Sequence, residues 1–213
     1  MIRYSHFNRA TVNCARFAHV DVNSCGSTLH QIDRPLQPPT QNILEILKAN
    51  EQFSIFVGLL ENANLTPLLE NENRSLTILV PKNDIFIEVK EYFDVLMTAG
   101  NGKKLENIIK LHIIDGALCC AAIEQSQWPF VRFVKTISGI NLKLNRDQRP
   151  KIQNAGITKC DIIATNGIIH EINDVINTRQ THRAPNAPAE SKVYSFVPQQ
   201  SFQNWHSQSQ SVA

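Results

Sequence analysis

Asp161 and His170 are the two residues of this 213-residue chain whose types and spacing come nearest to chemistry. They lie on two apolar runs, Asp161–Thr165 and Ile168–Ile172, that flank Asn166-Gly167. Asn-Gly tolerates two successive positive-φ positions, so the spacing predicts a β-hairpin with a type I′ turn at that dipeptide. Such a hairpin would bring a carboxylate and an imidazole together, the start of an acid–base pair. It also sets Ile168, His170 and Ile172 on one face of the second arm. A His between two Ile is expected to be a hydrogen-bonded core residue, and its contact with Asp161 a polar link that fixes the hairpin register. Nothing completes a catalytic grouping around this pair. There is no G-x-S-x-G elbow, no G-x-x-x-x-G-K loop and no H-E-x-x-H helix. Seven His and several Asp supply an inventory, whereas a triad is defined by geometry. No catalytic residue, metal site or cofactor is expected.

The elements that must position this hairpin follow from periodicity. Thr40 reads as the N-cap of a helix carrying Ile43, Leu44, Ile46 and Leu47. Phe53, Phe56, Val57 and Leu60 form a second helical stripe, and Leu65–Glu70 a third short turn. Leu76–Val80 is a strand stopped by Pro81, which has no N–H for a sheet. Asn83 or Asp84 is expected to cap one helix running through Phe86, Val89, Phe93 and Leu96 to Gly100-Asn101-Gly102. Leu105, Ile108, Ile109 and His112 share a helical face, which makes His112 a packed residue. Ala117–Ile123 reads as a strand, then Val131–Ile137 and Ile140–Leu144 as a hairpin around Ser138-Gly139. Lys151–Ile157 leads into the Asp161 hairpin. Helices early and strands late predict an α+β fold.

The closing stretch occurs twice. A shift of 140 positions sets Val12 on Ile152, Phe17 on Ile157, Asp21 on Asp161, Val22 on Ile162, Leu29 on Ile169, His30 on His170 and Ile32 on Ile172, without a gap. An ungapped offset of domain size predicts tandem copies of one module. The chain is then expected to begin inside a first copy and to be a fragment of a longer protein. Residues 1–38 would be the C-terminal remnant of a preceding domain with a connector stiffened by Pro35, Pro38 and Pro39, residues 39–177 a complete domain, and residues 178–213 a Ser/Gln/Pro-rich disordered tail. Without its partner strands, the first hairpin is expected to be poorly ordered or to dock on the next domain.

Ile157–Ile176 (ITKCDIIATNGIIHEINDVI) resembles the C-terminal signature of the fasciclin domain family, and Leu76–Phe86 (LTILVPKNDIF) its other signature. The family positions in these segments are Pro81, Asn83, Phe86, Asn166, Gly167 and His170. Leu111-His112 stands where the family has a Tyr-His or Leu-His pair, and Val12–Asp21 with Leu29–Asp33 resembles the end of a preceding fasciclin domain. The resemblance covers Ala10 to Asn177. It implies a wedge-like β-sandwich with packed helices, and a non-catalytic adhesion module displayed in tandem by extracellular proteins that contact integrins, collagen and other matrix components. It further implies partner binding through Asp161 and Ile162. An exposed carboxylate there could complete an integrin's metal coordination; the alternative is that Asp161 braces the hairpin. Leu111 replaces the Tyr of the second adhesion-linked pair, Leu111 and His112. The resemblance also implies an inter-domain disulfide between Cys14 and Cys120. Cys119 is then expected to pack as a small apolar group, and Cys25 and Cys160 have no assignment.

Composition bounds the remaining classes. Hydrophobic content of 42% with 19% charged residues is ordinary for a globular protein, and a net charge of +2 offers no basis for nucleic-acid binding. No apolar run is long enough to insert into a membrane, and MIRYSHFNRATVN lacks the apolar core of a secretory signal. Five cysteines without a C-x-x-C spacing support neither a zinc ribbon nor a thioredoxin-like site. The sequons at Asn64 and Asn73, taken with the resemblance, point to a secreted, extracellular protein. A second functional class is a glycosaminoglycan- or carbohydrate-binding module, for which Lys103-Lys104 and Arg146, Arg149 and Lys151 would supply a modest basic face.

Overall fold

The computed structural model describes residues 2–3, 11–97, 100–124, 126, 131–146 and 148–176. The chain divides into two compact units, Met1–Gln180 and Thr181–Ala213, and every described residue lies in the first. The tail expected to be disordered falls outside the described residues.

The first copy of the repeated stretch forms an antiparallel sheet of β1 (Ile2–Arg3), β2 (Thr11–Val12), β3 (Ala15–Ser24) and β4 (Ser27–Ile32). After the proline connector come α1 (Ile43–Ala49), a 3-10 turn at Glu51–Phe53, α2 (Ser54–Asn62) and α3 (Thr66–Glu70). Then follow β5 (Leu76–Pro81), α4 (Asn83–Glu88), α5 (Lys90–Leu96), α6 (Gly102–Leu111), β6 (Ile113–Asp115) and α7 (Cys120–Glu124). Five strands close the series: β7 (Arg132–Lys135), β8 (Asn141–Arg146), β9 (Pro150–Ile152), β10 (Ala155–Ala164) and β11 (Gly167–Ile172).

The second sheet runs β6-β5-β11-β10-β9-β8-β7, and only its β5–β11 pair is parallel. It curls until its ends meet at an isolated bridge between Ile114 and Thr136, with Ile137 N donating to Ile113 O at 2.9 Å. A single bridge without a ladder leaves the sheet short of a closed barrel. Period-two alternation on β5 then has a plain consequence. Ile78 and Val80 face the helices with Leu47, Phe56, Phe86 and Ile109, while Leu79 faces the layer interior with Leu142, Leu144, Ile152 and Ile172. The α+β reading therefore describes the molecule.

Four local expectations need correction. The cap of α1 is Asn42, not Thr40: its side chain accepts from Glu45 N at 2.9 Å while Glu45 accepts from Asn42 N at 2.8 Å. The helix expected from Asn83 to Leu96 breaks at Val89 (φ −114°, ψ 21°), and the bend lets Phe86 and Phe93 meet edge to face at 5.1 Å. Asn83 caps nothing. Its side chain accepts from Ile55 N and donates to Glu51 O and Ser54 Oγ, tying α4 to the start of α2. Cys120–Glu124 is helix rather than strand; two Ala in five residues favour that state.

The turn is also displaced. Ala164 pairs with Gly167, so the hairpin turns at Thr165-Asn166, and neither these residues nor Gly167 has a positive φ. Tertiary contacts override the local preference of Asn-Gly. Asn166 is buried and serves three elements: Oδ1 accepts from Ile43 N at 2.9 Å, Nδ2 donates to Leu69 O at 2.6 Å, and its backbone carbonyl takes Leu76 N at 3.1 Å. Gly167 is needed for close approach, because a Cβ there would sit 2.0 Å from Leu76 O on the parallel neighbour β5.

Candidate functional site

Two bulges shape β10. Between Lys159 and Ile162 the pairing with β11 slips, so Cys160 and Asp161 together oppose His170. Asp161 absorbs the slip at φ +57°, a left-handed conformation that Asp tolerates better than most residues. The bulge turns Asp161 N toward the imidazole, where it donates to His170 Nδ1 at 3.1 Å. His170 Nε2 lies 2.7 Å from Leu118 O, and because a carbonyl only accepts, the ring is the Nε2–H tautomer. Leu118 N donates to Thr77 Oγ1 and Thr77 Oγ1 to Gly116 O, which anchors the 116–120 loop on β5.

The Asp161 carboxylate turns away from the ring. Oδ1 accepts from Cys120 N at 2.8 Å; among the described residues Oδ2 has no hydrogen-bond partner, and Arg34 Nη1 lies 3.7 Å from it. Only 1% of this side chain is exposed. The pair therefore meets through the Asp161 backbone, not through carboxylate and ring, and no proton relay is formed. Burial lowers the His170 pKa, only partly opposed by the Leu118 carbonyl and by Asp161. His112 is the mirror case. Its Nδ1 donates to Ile108 O at 2.9 Å and its Nε2 accepts from Ile176 N at 3.0 Å, the opposite tautomer. Burial lowers its pKa to about 4. Both rings are neutral, buried and engaged at both nitrogens, so neither has a lone pair to offer a substrate.

The remaining expected site residues fall as follows. Leu111 (4% exposed) and His112 (1%) are buried, and Phe56 lies 5.7 Å from the His112 ring, so this pair presents no surface to a partner as folded. Ile162 is partly buried beside the helix-side core. The buried Asp161 carboxylate does not meet the exposure that direct coordination of an integrin's cation requires. Asn64 and Asn73 are both exposed, in turns beside α2 and α3. Lys103 and Lys104 lie in the first turn of α6, whereas Arg146 and Arg149 lie at the β8–β9 connection.

The cysteines pair differently from the expected Cys14–Cys120 bond. Cys14 bonds Cys119 and Cys120 bonds Cys160, with Cα separations of 5.3 and 5.9 Å, and Cys25 is a free, exposed thiol. The physical reason is the α7 helix. Starting at Cys120, it takes that sulfur inward beside His170 Nδ1 (3.8 Å), while Cys119 remains outside to meet the first copy. Among the described residues, two side-chain groups are compact enough for a metal, Cys120, Cys160 and His170, and Cys14, Cys119 and Asp161. Their sulfurs are oxidised in these disulfides and offer no thiolate. Arg34, on the connector, is the member of this site that the sequence did not single out, and Cys119, expected to pack as a small apolar group, is disulfide-bonded instead. A cation beside three prolines that cannot donate was the available signal for Arg34; a single sequence holds none for the pairing of Cys119.

The first copy is docked on this site. Besides Cys14–Cys119, Thr11 Oγ1 approaches Cys119 Sγ and Arg16 pairs with Glu124 of α7.

A model of the fasciclin domain matches residues 51–178. The chain is 32% identical over 152 residues to transforming growth factor-beta-induced protein ig-h3 of Sus scrofa, covering 70% of this chain and 21% of that protein. It is 29% identical over 155 residues to periostin of Homo sapiens, covering 72% of this chain and 18% of that protein. It thus spans about a fifth of the length of these relatives. In fold it matches a FAS1 domain pair from the insect cell adhesion molecule fasciclin I, with a TM-score of 0.61 at 19% identity over 84% of this chain and 67% of that one. With its match to the family model spanning more than half its length, the chain belongs to the fasciclin domain family.

Proposed function

We propose that this chain is a non-catalytic adhesion module of an extracellular protein, working by presenting rigid surface to protein partners of the integrin or collagen type. In this reading, residues 1–38 are the end of a preceding fasciclin domain and 39–177 a complete one. The observation that carries it is the coupling of the two copies. One disulfide, one ion pair to α7 and a proline connector fix the first hairpin on the second module, so that adjacent modules would keep a defined relation. Two disulfides favour an oxidising compartment. Among the described residues no helix is long and apolar enough to cross a membrane. The fully engaged histidines support binding without turnover.

Direct cation ligation by Asp161 does not suit its burial, so partner contact is assigned to exposed surface. Ile87, Tyr92, Val95 and Met97 on and beside α4 and α5 form one apolar part of that surface. The test is attachment of cells to the immobilised chain, with and without a chelator of divalent cations. Attachment that survives Asp161→Asn but falls with Val95→Glu supports this reading. Attachment that is abolished by Asp161→Asn alone returns the contact to the carboxylate, and no attachment under any condition removes the adhesion proposal. A glycosaminoglycan partner would instead show as heparin retention with steep salt dependence.

A further inference from the structure

A cleft of about 440 Å³ lies between the connector and β10, lined by apolar Pro35, Leu36 and Ile162 and polar Gln37 and Thr40 alike, with Arg34 and Lys159 among its charged lining. Asp161 lines it as well, with Oδ2 buried and lacking a hydrogen bond among the described residues. A buried acceptor is normally satisfied, and an unpaired carboxylate oxygen is among the most costly exceptions. Two features keep it unpaired. Oδ1 is already taken by Cys120 N, and the prolines facing the strand have no N–H to give. Arg34 Nη1 stands 3.7 Å away, beyond hydrogen-bond reach, on a side chain that is 44% exposed and also leans on Asp33 through Nε at 3.4 Å. Arg34 thus compensates the charge without filling the acceptor.

We propose that this cleft is a receptor for a basic side chain of a partner polypeptide, whose ammonium or guanidinium group hydrogen-bonds Asp161 Oδ2 in place of Arg34. One free oxygen permits an end-on contact, not a bidentate fork. Pro35, Leu36 and Ile162 offer apolar surface for the methylene stem of Lys or Arg. Arg34 is then an intramolecular placeholder that the ligand displaces. Lys159, exposed on β10, adds one opposing charge at the rim. This site is independent of the adhesion reading, because it is defined by an unfilled acceptor and not by a receptor class.

Backbone-amide NMR of the full chain, titrated with Nα-acetyl-arginine amide, Nα-acetyl-lysine amide, the neutral isostere Nα-acetyl-citrulline amide and guanidinium chloride, tests it. Shifts should concentrate at 34–41 and 159–163 with the two blocked basic residues, be weaker with guanidinium, which lacks a stem, and be absent with citrulline. Asn is well tolerated at positive φ, so Asp161→Asn should fold and weaken binding about tenfold or more. Arg34→Gln should tighten it severalfold by removing the competitor. Equal response to citrulline, equal or stronger response to guanidinium alone, unchanged affinity in Asp161→Asn, or weaker binding in Arg34→Gln would each overturn the proposal.

Discussion

The two closing hairpins, β3–β4 and β10–β11, share one register and live in opposite environments. Phe17 pairs with Ile32, His19 with Gln31 and Val22 with Leu29, just as Ile157 pairs with Ile172, Lys159 with Glu171 and Ile162 with Ile169, and both slip at the same two places. Even the brace is copied: Arg16 N donates to Asp33 Oδ1, and Gly156 N to Asn173 Oδ1. Yet Leu29 is 57% exposed while Ile169 is fully buried in the helix-side core, with β5 alongside. Their turns differ too. Cys25-Gly26 has positive φ at both residues (46° and 82°), as a type I′ turn requires, whereas Thr165-Asn166 has neither. Strand pattern and bulges are thus local properties that survive without a covering layer, while turn geometry yields to whatever packs on it.

Substituting equivalent sites should break this parallel in a graded way. Gly167→Ala drives a Cβ into Leu76 O and should cost about 4 kcal/mol or more, enough to prevent folding, whereas Gly26→Ala meets nothing within 4 Å and carries only the positive-φ cost of about 1 kcal/mol. Urea unfolding of the two variants measures both. Ile169→Ala leaves a core cavity worth about 3 kcal/mol; Leu29→Ala should change stability by less than about 0.5 kcal/mol.

Acid provides a third contrast. The His112 pKa in the fold is about 4, below the ordinary 6.5, so as pH falls the unfolded chain takes up the proton first. The stability owed to the neutral ring is whole above pH 6.5 and is lost as pH falls to about 4, roughly 3 kcal/mol in all. His112→Gln should flatten that slope. The smallest effect is at Cys25, whose exposed thiol should label with a maleimide in the native state with no measurable loss of stability.

Much of this was readable in the sequence, and the omissions have physical causes. The 140-residue offset was legible because paired strands repeat their apolar alternation and their irregularities together. His112 and His170 were legible as packed residues from the faces they share with Ile and Leu. Asn166-Gly167 misled because its local preference is real but unused: the Asn amide is spent on Ile43 and Leu69, and the Gly on Leu76. The cysteine pairing was hidden because a strand assigned to Ala117–Ile123 set adjacent cysteines on opposite faces of a sheet, where a helix start sends them to separate partners. Burial of Asp161 depends on a bulge and on a connector distant in sequence, and neither leaves a mark on the Asp-Ile dipeptide.

The claim on which the proposal for tandem display depends is that the first hairpin is clamped to the second module through Cys119. Fragmentation of the unreduced protein by mass spectrometry, with cleavage resolved between Cys119 and Cys120, tests it most directly. The account predicts Cys14 joined to Cys119, Cys120 joined to Cys160 and one free thiol at Cys25; Cys14 found free or joined to Cys120 would contradict it.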